Sequence, residues 1–248
     1  MSKTNIQHIA ILMAMQGEAE PFMRHFGFTE QPGLLCPALP FRCFQKEINQ
    51  LRVSLVTSGI DSRHGVDNIG CEPATLMAHE SISKLAPDVL ISAGTAGGFA
   101  NKGAQIGTVY ASAKYFVFHD RLVPLDAFDK AAEGCFPSLN VNRLALDLGL
   151  ETGVISSGSS LEKNPRDQHV IEKHQAVAKE MEAAAIAWVA MLHQVPFFAV
   201  KSITNLVDEP NQSEHEFIKN FDHSVAALTE KLIALVNYLP YKKITELG

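Results

Sequence analysis

The sequence is poor in residues that mark a secreted or metal-binding protein. Only four of its 248 residues are cysteines (Cys36, Cys43, Cys71 and Cys135), and no two of them are spaced as CxxC. In a chain without a signal peptide, such cysteines are typical of reduced, buried side chains, which predicts a cytoplasmic protein. No pair among these cysteines and the ten histidines has the spacing of metal ligands, so we expect no metal site.

Positive charge and long apolar runs are also scarce. There are 21 Lys and Arg residues against 27 Asp and Glu, for a net charge of −6, and basic residues occur in runs of no more than two. A nucleic-acid partner would need a clustered basic face, so none is expected. The apolar run at residues 9–15 is too short to span a membrane and is typical of a buried strand.

What the chain does contain is an alternation of strand and helix patterns. Strands are predicted for HIAILMA, FRCFQKEI, LRVSLVTSG, DVLISAG, GTVYASAKYFVF, ETGVISSG and PFFAVKSIT. Helices are predicted over residues 17–26, 73–85, 168–193 (with a break near His174) and 214–239. This alternation predicts an α/β fold with helices on both faces of a mostly parallel or mixed sheet. No linker divides the chain, so we expect one domain over residues 1–248, with a long excursion at 118–141 that serves a site or an interface.

Three motifs combine acidic residues or glycines at the ends of predicted strands or the starts of predicted helices. Glu18 and Glu20 follow the first strand in AMQGEAEPF, three glycines lie in SAGTAGGF, and Glu180 and Glu182 flank Met181 in AKEMEAAAIAW. Each motif has an ordinary structural explanation, either first-turn acids on a helix or a tight turn. The chemical alternative is that the glycines bring backbone against a flat ligand and that one acid accepts hydrogen bonds from a ribose diol. Acids spaced i and i+2 cannot both cap the helix and face a pocket.

A fourth motif, FFAVKSITNLVD at Phe197–Asp208, starts as a buried strand and ends in polar residues. Those residues are Lys201, Ser202, Thr204, Asn205 and Asp208. In α/β enzymes the chemistry lies at the carboxyl edge of the sheet, which makes this end of the strand a candidate site.

In this order the motifs resemble the nucleoside phosphorylase/nucleosidase superfamily, and within it the plant-type methylthioadenosine/S-adenosylhomocysteine nucleosidases. The matching stretches run from residue 14 to residue 208: AMQGEAEPF, TSGIDSRHGVDNIGCEPA, SAGTAGGFANKGAQIGTVYAS, VFHDRLVPLDAFD, SSGSSLE, AKEMEAAAIAW and VKSITNLVD. The resemblance implies a three-layer α/β sandwich with a central mixed sheet flanked by helices. It also implies a homodimer in which a loop of the neighbouring subunit closes the pocket. The implied reaction is hydrolysis of the bond between adenine N9 and ribose C1′ in 5′-thio-substituted adenosines, without metal or organic cofactor.

The resemblance further assigns roles to individual residues. Glu18 matches the glutamate that positions and deprotonates the attacking water, and Glu182 matches the glutamate that binds the ribose hydroxyls. Other contacts to the nucleoside are implied at Met15, Ile60, Ala96, Gly97, Leu161, the backbone of Glu162, Met181 and Thr204. Pro124 and Phe128 are expected in the loop that reaches the partner subunit. No Gly-Asp-Pro-x-Arg element follows the first strand, which favours water over phosphate as the nucleophile.

One position departs from the family. Where the family carries the aspartate that protonates N7 of the base, this chain has Asn205, and Asp208 matches a second, structural aspartate. An amide donates a hydrogen bond but cannot release a proton. Three consequences stay open: a nucleosidase of reduced activity, a nucleosidase or phosphorylase with a preference for 6-oxopurines, or a nucleoside-binding protein without turnover. The retention of Glu18 argues against the last, because a binding protein needs no water-activating base.

Overall fold

The computed structural model describes residues 5–162, 164–210 and 213–248, and its strands join in one mixed sheet. The strands are β1 (His8–Met13), β2 (Thr29–Glu30), β3 (Arg42–Ile48), β4 (Leu51–Thr57), β5 (Val89–Gly98), β6 (Val109–Phe118), β7 (Phe136–Pro137), β8 (Glu151–Ser157), β9 (Ala178–Glu180) and β10 (Phe197–Leu206). Strand β5 pairs in parallel with both β1 and β10, while β10 pairs antiparallel with β6. The predicted mixed sheet is confirmed.

Helices cover both faces of this sheet. They are α1 (Gln16–Phe26), α2 (Cys71–Leu85), α3 (Phe128–Glu133), α4 (Asn142–Leu148), α5 (Pro165–Lys173), α6 (Ala183–His193) and α7 (Ser213–Tyr238). One apolar core joins α2 and α6 to the sheet, and a second joins α1, α4 and α7 to it. The fold is therefore an α/β arrangement of a central sheet between helical layers, as the sequence predicts.

Part of the sheet closes on itself, which the sequence did not indicate. Strand β10 pairs with β5 on one side and β6 on the other, and β9 joins β8 back to β5. Because β6 also pairs with β8, strands β5, β10, β6, β8 and β9 form a closed ring. The carboxyl ends of the parallel strands β1, β5 and β10 meet beside β9, and this edge of the sheet holds the candidate site.

Two segments differ from the predicted elements. The single broken helix predicted over 168–193 is wrong in its middle, because strand β9 separates α5 from α6. Three residues between helices carry too little periodicity to be recognised, and β9 is defined only by its pairing with β8 and β5. Helix α4 was also not predicted; it follows the excursion at 118–141, which itself contains α3 and β7.

No helix among the described residues is both long enough and apolar enough to cross a membrane. The same residues contain no group of three or more His, Cys, Asp or Glu side chains placed to hold a metal ion. All four cysteines are unpaired.

Candidate active site

A cavity of about 390 Å³ opens at the carboxyl ends of β1, β5, β9 and β10. Nine of the thirteen residues to which the resemblance assigns a role line it: Met15, Glu18, Ala96, Gly97, Leu161, Met181, Glu182, Thr204 and Asn205. Its volume lies within the range of pockets that bind small organic ligands. The four motifs, far apart in the chain, therefore converge on one cavity.

Glu18 projects from the first turn of α1 and is 4% exposed. Its Oε1 accepts hydrogen bonds from the backbone N–H of Thr95 at 2.7 Å and from the Thr95 hydroxyl at 2.6 Å. The carboxylate lies over Gly94, where an added Cβ would come within 3.0 Å of Oε2. Burial raises the pKa of Glu18 above its ordinary value, although the Thr95 hydrogen bonds and the charge of Lys201 act in the opposite direction. A fixed, buried carboxylate of this kind is suited to act as a general base.

The two acids that flank Met181 have separate tasks. Glu180 accepts hydrogen bonds from the backbone N–H of Glu182 and Ala183 and from the Ser157 hydroxyl, and it forms an ion pair with Lys201 at 2.9 Å. It therefore caps α6, and although Glu180 also borders the cavity, both of its carboxylate oxygens are already bonded to protein donors. Glu182 lines the cavity, where its Oε1 accepts from the Gly70 N–H at 2.9 Å. Burial, together with the charge of Glu180, raises the pKa of Glu182 to about 7.

Lys201 is the buried cation among these carboxylates. Its side chain is 2% exposed, and its ammonium pairs with Glu180. Burial acts to lower the pKa of Lys201, but the charges of Glu180 and Glu182 outweigh that effect and raise it. Because Lys201 also lines the cavity and interacts with Glu18, it holds a positive charge beside the general-base candidate.

Asn205 occupies the end of β10 and is 2% exposed. The Thr204 hydroxyl lies 3.0 Å from Asn205 Oδ1 and 3.2 Å from the carbonyl oxygen of Ala96. A Cβ added to Gly97 would lie 2.4 Å from Val207 and 3.1 Å from Asn205 Nδ2, so the packing of Val207 leaves no room for a side chain at this position. Asp208 does not substitute for it, since its carboxylate accepts from the backbone N–H of Ala100 and Asn101 at 2.7 and 2.9 Å.

The loop after β8 forms another wall of the cavity and is held by Lys179, which also lines the cavity, and by Asp120. Lys179 donates to the carbonyl oxygens of Ser160 at 2.5 Å and Leu161 at 3.1 Å. The Ser159 N–H donates to Asp120 at 2.8 Å. Burial lowers the pKa of Lys179, while Asp167 and other neighbouring acids oppose that shift.

The other four of these thirteen residues lie outside the described lining of the cavity. Ile60 follows β4 and is 48% exposed, and Glu162 lies beside Leu161 on the surface. Pro124 and Phe128 lie on the exposed excursion after β6. Their roles stay predictions.

Sequence reasoning did not assign three polar groups of the site. Thr95 lies within SAGTAGGF, yet only its contact with Glu18 shows its role. Lys201 belongs to the polar end of β10, but its ion pair joins residues 21 positions apart on different elements. Lys179 is one residue before Glu180, and no pattern in the sequence indicates that its ammonium reaches the loop after β8.

Comparison with known proteins agrees with this architecture. The model of the Phosphorylase superfamily matches residues 8–237. A 5′-methylthioadenosine nucleosidase of Arabidopsis thaliana is 35% identical over 243 residues, which cover 98% of this chain and 91% of that protein. A 5′-methylthioadenosine/S-adenosylhomocysteine nucleosidase of the same plant is 34% identical over 251 residues, covering 100% and 97%.

Solved structures give the same result. The Arabidopsis thaliana 5′-methylthioadenosine nucleosidase in apo form superposes with a TM-score of 0.95 at 35% identity, covering 98% of this chain and 100% of that one. The futalosine hydrolase of Helicobacter pylori superposes with a TM-score of 0.78 at 25% identity, covering 94% and 99%. The chain belongs to the phosphorylase superfamily and resembles its 5′-methylthioadenosine/S-adenosylhomocysteine nucleosidases over the full length.

Proposed function

We propose that the chain hydrolyses the N-glycosidic bond of 5′-thio-substituted adenosines, releasing adenine and the thioribose. The observation that carries this proposal is that Glu18 and Glu182 line the same cavity, while Glu180, which also borders it, is paired with Lys201. The names of the relatives support the substrate class, because both Arabidopsis thaliana proteins are nucleosidases of 5′-methylthioadenosine.

The reaction follows from these positions. As the C1′–N9 bond breaks, positive charge develops on the sugar, and the ionised Glu182 accepts from the ribose hydroxyls and stabilises that charge. Glu18 orients a water molecule and takes its proton as the oxygen bonds to C1′. General-base assistance of this kind contributes about 10²–10⁴-fold. Lys201 favours the ionised forms of both glutamates because its positive charge lies beside them.

Asn205 limits the rate in this proposal. Its amide complements adenine, because Nδ2 donates to N7 and Oδ1 accepts from the 6-amino group. It cannot transfer a proton to N7, so the purine leaves without general-acid catalysis. We expect this to lower the rate by about 10²–10⁴-fold relative to an aspartate at the same position.

A second candidate is a preference for 6-oxopurine nucleosides. The Thr204 hydroxyl has one hydrogen, which goes either to Ala96 or to Asn205 Oδ1. If that hydrogen is donated to the Ala96 carbonyl, the Asn205 amide can be flipped, so that Nδ2 donates to the Thr204 oxygen and Oδ1 points toward the base. An amide in either orientation has one donor and one acceptor, which also complements N7–H and O6 of a 6-oxopurine.

The test is release of free base by the purified chain and by its Asn205→Asp variant. Each receives 5′-methylthioadenosine, S-adenosylhomocysteine and inosine, with and without phosphate. Faster adenine release by the variant supports 5′-thio-substituted adenosines as substrates, and inosine cleavage by the native chain supports a preference for 6-oxopurine nucleosides. Phosphate-dependent turnover would contradict hydrolysis. Binding without turnover by both proteins would leave only a nucleoside-binding function.

We further propose a homodimer in which the excursion after β6 reaches the partner subunit. Leu122, Leu125 and Phe128 on this excursion are each more than 60% exposed, which favours burial against another surface. A second copy is the occupant that the family resemblance implies. Replacing Phe128 with Asp should shift the molecular mass in multi-angle light scattering from dimer to monomer, and an unchanged mass would contradict this role.

Two further predictions belong to this proposal. A single domain over residues 1–248 is supported by the one sheet that joins all the strands of the described residues. A cytoplasmic location is supported by the four unpaired cysteines, which are typical of a reducing compartment.

A further inference from the structure

The cavity has two lysines, and they lie at different positions along β5. Lys201 on β10 is in register with Gly94, and Lys179 on β9 is in register with Gly97. Three residues along a strand correspond to about 10 Å. Among the described residues these are the only cations that line the cavity. Lys201 therefore lies beside Glu18 and Glu182, and Lys179 lies level with Gly97, the residue of β5 that is also paired with Asn205.

Lys179, Gly97 and Asn205 form one row across three paired strands. Gly97 is the registered partner of Lys179 on one side and of Asn205 on the other. Side chains of paired residues point to the same face of a sheet. Gly97 has no side chain, and the space over it is occupied by a Val207 methyl and by Asn205 Nδ2, which lie 2.4 and 3.1 Å from where a Cβ would stand.

Among the described residues, no acidic side chain forms an ion pair with Lys179. It is 4% exposed, and its hydrogen bonds go to two neutral carbonyl oxygens, those of Ser160 and Leu161. An ammonium has three donors, so these bonds leave one N–H. Burial lowers the pKa of Lys179, and the charges of Asp167, Glu180, Asp120 and Glu162 oppose that shift. Lys201, in contrast, is paired directly with Glu180.

We propose that Lys179 stabilises the negative charge on the departing purine, in place of the proton that Asn205 cannot supply. This inference rests on the proposed nucleosidase function. The C1′–N9 bond breaks with its electron pair remaining on the purine, and the water oxygen bonds to C1′ while Glu18 takes the water proton. Lys179 keeps its own proton. The purine anion is protonated by solvent on release, and Glu18 returns its proton to solvent.

The test compares loss of Lys179 in two backgrounds. If Lys179 replaces the missing acid, Lys179→Met should lower kcat for 5′-methylthioadenosine by about 10²-fold in the native chain, the usual cost of removing one stabilising donor. In the Asn205→Asp background, Lys179→Met should lower kcat by less than about 5-fold, because protonation at N7 then neutralises the departing purine. Lys179→Arg, which keeps the charge, should retain most of the native rate.

The alternative is that Lys179 only positions the loop after β8. In that case Lys179→Met would cost the same factor in both backgrounds and would raise KM, which would overturn the proposal. Lys179→Gln serves if Lys179→Met does not fold, because an amide can still donate to the Ser160 carbonyl without carrying charge. Lys102→Met is the matched control, since Lys102 donates to the Ala176 carbonyl at 2.8 Å but does not line the cavity.

Failure of the two proposals gives different results. If neither the native chain nor Asn205→Asp releases adenine, the nucleosidase function is wrong and the role of Lys179 falls with it. If both proteins release adenine and Lys179→Met lowers kcat by the same factor in both backgrounds, only the role of Lys179 is wrong.

Discussion

The ammonium of Lys201 and the carboxylate of Glu180 form an ion pair at 2.9 Å, with side chains 2% and 1% exposed. This pair connects β10 to the start of α6, because Glu180 also accepts from the backbone N–H groups of Glu182 and Ala183. Both acids border the cavity, but because Glu180 is bonded to the helix cap and to Lys201, Glu182 is the acid left to bind a substrate. The structure thereby decides which of the two acids is available to a substrate.

Breaking this pair should destabilise the protein strongly. Lys201→Met leaves Glu180 as a buried charge without its cation, and such losses cost about 3–5 kcal/mol. The double variant Lys201→Met/Glu180→Gln should recover part of that free energy of unfolding, because no unpaired charge remains. Urea unfolding monitored by circular dichroism measures both. Additive losses in the double variant would show that the two side chains do not depend on each other.

Glu18→Gln should abolish base release while purine binding stays within a few-fold of the native value. The amide keeps the shape of the side chain and its contact with Thr95 but cannot accept the water proton. Single-turnover assays give the rate, and calorimetric titration with adenine gives the affinity. Glu20→Gln is the control, since Glu20 lies two residues away and pairs with Arg24 on the surface. Strong residual turnover in Glu18→Gln would overturn the assignment.

The fold is predictable from the sequence because most of its helices and strands have strong local patterns. Strand β10 is a long apolar run, and α7 repeats apolar residues at helical spacing, so both were recognised. Strand β9 has three residues and exists only through its pairing with β8 and β5. The closed ring of strands depends on such pairings, which no local pattern encodes.

The site was predictable to the same degree. Glu18 and Glu182 stand in motifs that resemble a known family, and both line the cavity. The partners that set their charge states were not predictable, because Thr95, Lys201 and Lys179 act through contacts between distant segments. Motifs thus indicated which residues meet, and only the packing shows which groups each one contacts.

Substrate binding should depend on pH through Glu182. Its pKa is raised to about 7, chiefly by burial, so the carboxylate is protonated below that pH and ionised above it. The ionised form accepts more strongly from the ribose hydroxyls, and affinity should therefore rise as pH increases through about 7. Titrations of 5′-methylthioadenosine into Glu18→Gln isolate this effect, because that variant neither turns over nor titrates at position 18. A 2′-deoxy analogue should show a weaker pH dependence, and affinity that is constant across the range would contradict the role.

The same ionisation should cost folding stability at high pH. The pKa of Glu182 in the folded protein, about 7, lies above its ordinary value of 4.5. Stability from the neutral carboxyl is therefore fully present below about pH 4.5 and is lost as pH rises through about 7. Glu182→Gln stays neutral, so its stability relative to the native chain should increase between about pH 5 and about pH 9. Thermal unfolding at both pH values measures the difference, with Glu20→Gln as an exposed control. A difference that does not change with pH would show that Glu182 carries no such cost, and that the cavity accommodates its charge as well as water does.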